Sequence, residues 1–177
     1  MPKGSTKNIV FLSNDPFCFL EHQFQRGGSY RNWQTCLAPL SEPCVQCNNG
    51  NSPYDAAAFT IIDCSKWEDK KTGETRKNIR RLFIAKSNIW EKIERRHQAL
   101  IEDGKKLCGA CFRVSRGMGD KSPNVGDDFE FRGMVRLDAY EDITEFDYVK
   151  VLAPHATGTV AAPPASGPSA DDDDIPF

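Results

Sequence analysis

Apolar and polar side chains alternate in short stretches over most of this chain, and fall at helical spacing only once. "AAFTIIDCSKW" is a β-rich run, "KKTG" after it is a turn, and "NIRRLFIA" is a second strand, so residues 57–85 predict a hairpin. "SNIWEKIERRHQALIEDG" follows with Ile89, Ile93, His97 and Leu100 on one face and Trp90 and Ile101 beside them. Ser87 or Asn88 can cap this helix and Gly104 can stop it. His97, on the apolar stripe, reads as a buried, satisfied histidine.

Two further stretches, "LCGACFRVSR" and "DFEFRGMVRL", alternate again. Ala110, Phe112 and Val114 share one side of the first, with Cys111, Arg113 and Ser115 on the other. In the second, Phe129, Phe131, Val135 and Leu137 point one way, and Glu130, Arg132 and Arg136 the other. With an earlier strand near "KNIVFLS", the chain reads as mainly β with one helix, an α+β fold. The order of strands and helix is that of a five-stranded OB-fold barrel. Beyond Leu152 the composition turns to Pro, Ala, Gly, Ser and Thr, which bury too little apolar surface to offset ordering entropy. The expected organisation is therefore a binding domain over 1–153, a disordered linker over 154–170 and an acidic tip over 171–177.

The segment 20–56 is poor in aliphatic residues and carries the sharpest local chemistry. It places His22, Cys36, Cys44 and Cys47 in the spacing His-x13-Cys-x7-Cys-x2-Cys. A Cys-x2-Cys turn presents two thiolates to one ion, and an imidazole with a third thiolate would close a tetrahedral zinc shell with no open position. Pro43 and Gly50 flank the pair and suit a tight knuckle. Were His22 not the fourth ligand, Cys18 or Cys64 would be the substitute. Cys108 and Cys111, by contrast, lie in an alternating strand where residues three apart face opposite ways, and they read as small buried hydrophobes.

Charge changes the picture once the tail is set apart. The chain carries 23 basic and 25 acidic side chains, four of the latter in the terminal "DDDDIPF". Residues 1–153 thus bear a net +2. Aromatic residues sit beside cations in three places: Tyr30 with Arg31 and Trp33, Trp67 with Lys70 and Lys71, and Phe83 with Arg81. Arg76, Arg80, Arg113, Arg116 and Arg132 add cations on the same strands and turns. Single-stranded nucleic acid asks for this pairing, because bases stack on rings while cations follow phosphates. Trp67 and Phe83 read equally well as core. The N-terminus has no apolar leader and no apolar run spans a membrane, which predicts a cytoplasmic protein. Seven cysteines then belong to a reducing compartment. There is no nucleophile elbow, phosphate-cradling glycine loop or paired-carboxylate signature, so an enzyme is not expected.

The tip "DDDDIPF" resembles the C-terminus of bacterial single-stranded DNA-binding proteins. The His, Cys, Cys-x2-Cys-x2-Gly pattern ahead of a β-rich region is similar to phage single-stranded DNA-binding proteins of the T-even helix-destabilising type. The resemblance implies one structural Zn²⁺ on His22, Cys36, Cys44 and Cys47 and sequence-tolerant binding of single strands in phage replication, recombination and repair. It also implies a tip, Asp171, Asp172, Asp173, Asp174, Ile175, Pro176 and Phe177, that recruits partner proteins. The chain is shorter than the T-even protein and lacks its long basic N-terminal arm. A second reading, from another class, is a zinc-containing adaptor or transcription regulator acting through protein contacts.

Overall fold

The alternating runs form strands, and a single sheet takes in seven of them in a computed structural model that describes residues 1–25, 31–69, 72–119 and 125–152. In chain order these are β1 (Thr6–Phe11), β2 (Phe17–Gln25), β3 (Arg31–Thr35), β4 (Tyr54–Asp63), β7 (Ile79–Lys86), β8 (Ala110–Ser115) and β9 (Asp128–Met134). A small ribbon, β5 (Trp67–Glu68) and β6 (Thr75–Arg76), extends the β4–β7 hairpin. Three α-helices, α1 (Val45–Asn48), α2 (Ser87–Glu102) and α3 (Tyr148–Leu152), and two 3-10 turns, Ala38–Leu40 and Leu137–Ala139, complete the described elements. The linker and tip lie outside the described residues.

β4 is the hub of the sheet. One of its edges pairs with β7 from Ala56↔Lys86 to Asp63↔Ile79. Its other edge pairs with β2 through the first half and with β1 through the second. β1 then pairs with β8, and β8 with β9. Every pairing is antiparallel. Among the described residues no hydrogen-bonded ladder joins β7 to β9, so a closed barrel is not what the pairings draw. The observed class is an antiparallel sheet with one dominant helix, and α2 packs on β4, β7 and β9.

Side chains from the inner face of this sheet build the core. Phe11, Phe59, Phe83, Phe112 and Phe129 are all buried, one from each of β1, β4, β7, β8 and β9. Phe11 stands edge-on to Phe59 at 5.2 Å and to Phe112 at 5.7 Å between ring centroids. Phe83 meets Phe129 at 6.3 Å, bringing β7 and β9 together through rings instead of backbone bonds. Lys7 donates to Asp63 at 2.7 Å at one end of this core, with Arg81 Nε 3.8 Å from the same carboxylate. Burial works against the Asp63 carboxylate, but hydrogen bonds from Lys7 and Ser65 outweigh it and hold its pKa below the usual range.

α2 buries Ile89, Ile93 and Leu100 as the periodicity requires. His97 is only half-buried and Ile101 is exposed. The expected cap is not used. Lys86, the last residue of β7, occupies the N-cap in extended conformation with no side-chain hydrogen bond, and Ser87 is already helical. Strand and helix run into each other without a loop, which leaves no room for a Ser or Asn cap.

A bulge corrects the reading of β9. Cys111 pairs with Gly133 but Phe112 pairs with Phe131, so Arg132 is the extra residue. Gly133 takes φ +133°, a conformation that side-chain-bearing residues rarely adopt. The bulge turns the following residues over: Phe131 packs on the phenylalanine core, whereas Val135 and Leu137 join a second cluster on the outer face with Val10, Leu12 and Ile62. Cys64, Cys111 and Tyr140 also belong to that outer cluster. Cys108 sits in a turn ahead of β8, its amide bonded to Asn14 Oδ1 at 3.0 Å, so it is not a residue of that strand.

The chain beyond β9 makes one 3-10 turn, Leu137–Ala139, and then crosses the outer face without regular structure until α3. Tyr148 anchors it: its hydroxyl lies 2.8 Å from both Ser13 Oγ and Thr60 Oγ1, and its ring stacks on Phe17 at 5.5 Å. Phe11 touches three other core rings, and Phe11→Ala is expected to cost about 3–5 kcal/mol of stability, measured by urea denaturation.

Candidate metal centre and adjoining sheet face

β2 and β3 form a hairpin whose far end is closed by cysteines. His22 projects from β2, Cys36 follows β3, Cys44 precedes the single turn of α1, and Cys47 lies within it. The knuckle is held by backbone bonds from Asn48 N to Cys44 O at 3.0 Å and from Gly50 N to Cys47 O at 2.9 Å. Gly50 takes φ +76°, the left-handed conformation that ends the turn.

These four residues converge. Cys44 Sγ lies 3.3 Å and Cys47 Sγ 3.4 Å from His22 Nε2, and Cys36 Sγ lies 3.5 Å from Cys47 Sγ. All four donor atoms fall within 4.8 Å of one another. Donor atoms around a tetrahedral ion with bonds of about 2.0–2.3 Å stand roughly 3.3–3.8 Å apart, so the geometry suits one ion. His22, Cys36 and Cys44 are buried. Nε2 faces the sulfurs, and Nδ1 is buried without a hydrogen-bond partner among the described residues.

Electrostatics favour a cation at the centre. Burial opposes the Cys44 thiolate, yet backbone N–H groups of Cys47, Leu37 and Gln46 bring its pKa down to about 6. Cys47 moves the other way, to about 11, chiefly through its hydrogen bond with Cys36 and through burial. Three sulfurs this close, two of them buried, cannot all ionise without a positive charge between them. Cys18 is exposed and Cys64 lies in the outer cluster, so neither substitutes for His22.

The outer face of the sheet continues from this hairpin. Directly opposed residues of an antiparallel pair project to the same side, so Gln23, Trp33, Tyr54, Ala56 and Lys86 share one surface. Lys86 Nζ stands 5.1 Å from the Trp33 ring and 4.8 Å from the Tyr54 ring, and donates to Gln23 Oε1 at 3.2 Å. Tyr54 donates to the buried carboxylate of Glu21. Burial pushes the Glu21 pKa up, while Tyr54 and the Lys86 charge pull it back. Farther along β7, Ile84, Leu82 and Arg80 face the same way and are half-buried.

The residues expected to touch nucleic acid scatter around this surface. Trp33 lies on it. Phe83 does not: it is 2% exposed and a member of the core, so it offers no ring face to a ligand. The side of β7 shared by Ile79, Arg81 and Phe83 is the inner one, and Arg81 turns to Asp63 at the end of the core. Trp67 is 43% exposed on the β5–β6 ribbon, near Arg76, which pairs with Glu74 at 3.0 Å. Arg113 and Arg132 both approach Glu130, at 3.9 and 2.8 Å, on the far side of the sheet order. Arg116 donates to the carbonyl of Met1. Tyr30, Lys70 and Lys71 lie outside the described residues, as does the Arg31 side chain, and Asp171–Phe177 with them.

Lys86 and Tyr54 were not singled out by sequence. For Lys86 the signal was the alternation of "NIRRLFIA" just before it, taken in the opposite phase. No family model, curated protein or solved structure matches the chain.

The Cys44→Ser variant is expected to lose the bound metal, one ion per chain falling to near none, and to melt at lower temperature. Cys18→Ser should leave both unchanged. Metal analysis of the purified variants, with thermal unfolding, checks this.

Proposed function

We propose that the protein binds single-stranded DNA without reading its sequence, as a non-enzymatic component of phage replication, recombination and repair. The observation that carries the reading is the outer face of β4 and β7, where Lys86 lies over Trp33 and Tyr54 and where Leu82, Ile84 and Arg80 continue the same surface. Stacking rings beside a cation are what a single strand requires. The cation neutralises phosphate, and each ring accepts any base.

The topology supports this reading. Pairings β1–β4, β4–β7, β1–β8 and β8–β9, with α2 between β7 and β8, are those of an OB fold apart from its closing ladder. On this reading β4 and β7 are the second and third barrel strands, whose face takes oligonucleotides in such folds. The β2–β3 hairpin and knuckle are then an insertion between the first two strands. The ion is one structural Zn²⁺, because three thiolates and an imidazole match its preference and fill its shell. The tip Asp171–Phe177 recruits partner proteins through its charge and terminal ring.

An apolar groove of about 470 Å³ gives the adaptor reading its own support. It is lined by Phe17, Phe19, Leu40, Val149 and Leu152 among others, beside the start of the linker.

Titration of the protein with fluorescent oligo-dT and with duplex of equal length separates the readings. Preferential binding of the single strand, weakening as salt rises, is expected. Equal binding to duplex, or none to either, would overturn the proposal in favour of the adaptor. Lys86→Met should lower the salt dependence of log K by about 0.7, the loss of one phosphate contact. Deleting residues 171–177 should leave affinity for the single strand equal or higher while abolishing partner capture.

A further inference from the structure

The stretch between β9 and α3 does more than lead out of the domain. Residues 141–147 read "EDITEFD", with no regular secondary structure, and their charged side chains are exposed. Both ends of the stretch are fixed. On one side Leu137 and Tyr140 pack on Val10, Leu12 and Ile62. On the other, Tyr148 holds Ser13 and Thr60, and Thr35 Oγ1 donates to the Leu152 carbonyl at 2.9 Å.

The middle is held chiefly by one side chain of the outer face. Arg80 Nε lies 3.1 Å from Asp142 Oδ2, its Nη1 donates to the Thr144 carbonyl at 2.8 Å, and its guanidinium sits 4.3 Å from the centre of the Phe146 ring. A second hold is the amide of Phe146, which donates to Thr60 Oγ1 at 2.9 Å. Arg80 is thereby left with a side chain only 25% exposed on a face otherwise suited to a ligand.

We infer that residues 141–146 are an internal competitor for the single-strand track on β7, a strap that leaves Arg80 when a strand binds. The argument rests on the single-strand reading above. Each partner of Arg80 in the strap has a counterpart in a nucleotide. Asp142 stands where a phosphate would be paired, the Thr144 carbonyl where a sugar or base oxygen would accept, and Phe146 where a base would stack on the guanidinium. The exchange replaces each contact with one of the same chemistry, so the strap can be displaced without leaving a cation unpaired. Fixed ends keep the strap close, and only the middle has to move.

Two measurements test this. Oligo-dT affinity is compared for the wild type, Asp142→Asn, and Glu141→Gln, which removes an equal charge from an exposed neighbour. Asp142→Asn should bind about two- to fivefold more tightly than wild type, the scale of one half-exposed ion pair, and Glu141→Gln should gain less. Amide hydrogen exchange then follows Phe146, whose protection should fall when oligo-dT is added. A wild type that binds oligo-dT while Asp142→Asn gains nothing, or gains no more than Glu141→Gln, overturns the strap alone. So does a Phe146 amide that becomes more protected in the complex, since the strand would then lie over the strap. A wild type that does not bind oligo-dT overturns the single-strand reading and the strap with it.

Discussion

Five phenylalanines, one from each of β1, β4, β7, β8 and β9, meet in a single aromatic core, and the rest of the structure follows from that contact. Aromatic rings at 5–7 Å prefer edge-on or tilted geometry, and the Phe11 pairs adopt it, with interplanar angles of 83°, 73° and 90°. The rings also join β7 to β9, where among the described residues no ladder does. Because side chains alternate along a strand, placing Phe83 inside puts Arg80, Leu82, Ile84 and Lys86 outside. The same choice in β4 puts Thr60 and Ile62 outside, under the crossing segment that ends in α3. Core and working face are one decision made strand by strand.

The metal centre extends that logic to a hairpin with no core of its own. Residues 36–51 bury only Cys36 and Cys44 among their apolar side chains, too few to order the segment by area alone. Ligation would supply the missing constraint, since an ion that tied β2 to the chain after β3 would also fix how those strands lie together. Trp33 pairs with Gln23 one step from His22 along β2, so an ion at the centre would set where the ring stands against Lys86. A structural ion of this kind acts on a ligand only at second hand, by holding an aromatic surface in place.

Much of this was legible in the residues. The β4–β7 hairpin, the buried face of α2, the alternation of β8 and the converging His22, Cys36, Cys44 and Cys47 all carry local patterns that tertiary structure has no reason to overrule. What escaped depended on distant context. "NIRRLFIA" contains alternating positions in both phases with a cation in each, and only the phenylalanine core decides between them. The Arg132–Gly133 bulge reverses a strand whose sequence reads as regular. β2 and β3 were not expected because "FCFLEHQFQ" and "RNWQT" gain their apolar partners from β4 and from the ligand cluster, which no local window contains.

A one-residue slip of β7 against β4 would exchange the two faces at once, burying Arg80 and Lys86 and exposing Phe83. Such a slip would remove cations from water, while stripping the core of a ring that touches Phe11, Phe59 and Phe129. Both penalties act in the same direction, so the register is strongly specified. The Lys7–Asp63–Arg81 cluster adds to it at the far end of the hairpin, where Asp63 pairs with Ile79 in the ladder while its carboxylate takes the Lys7 ammonium. The cation–aromatic surface is therefore stable for reasons that have nothing to do with a ligand. Its side chains stand where the core requires them to stand, and a ligand that matches their spacing meets a face already organised.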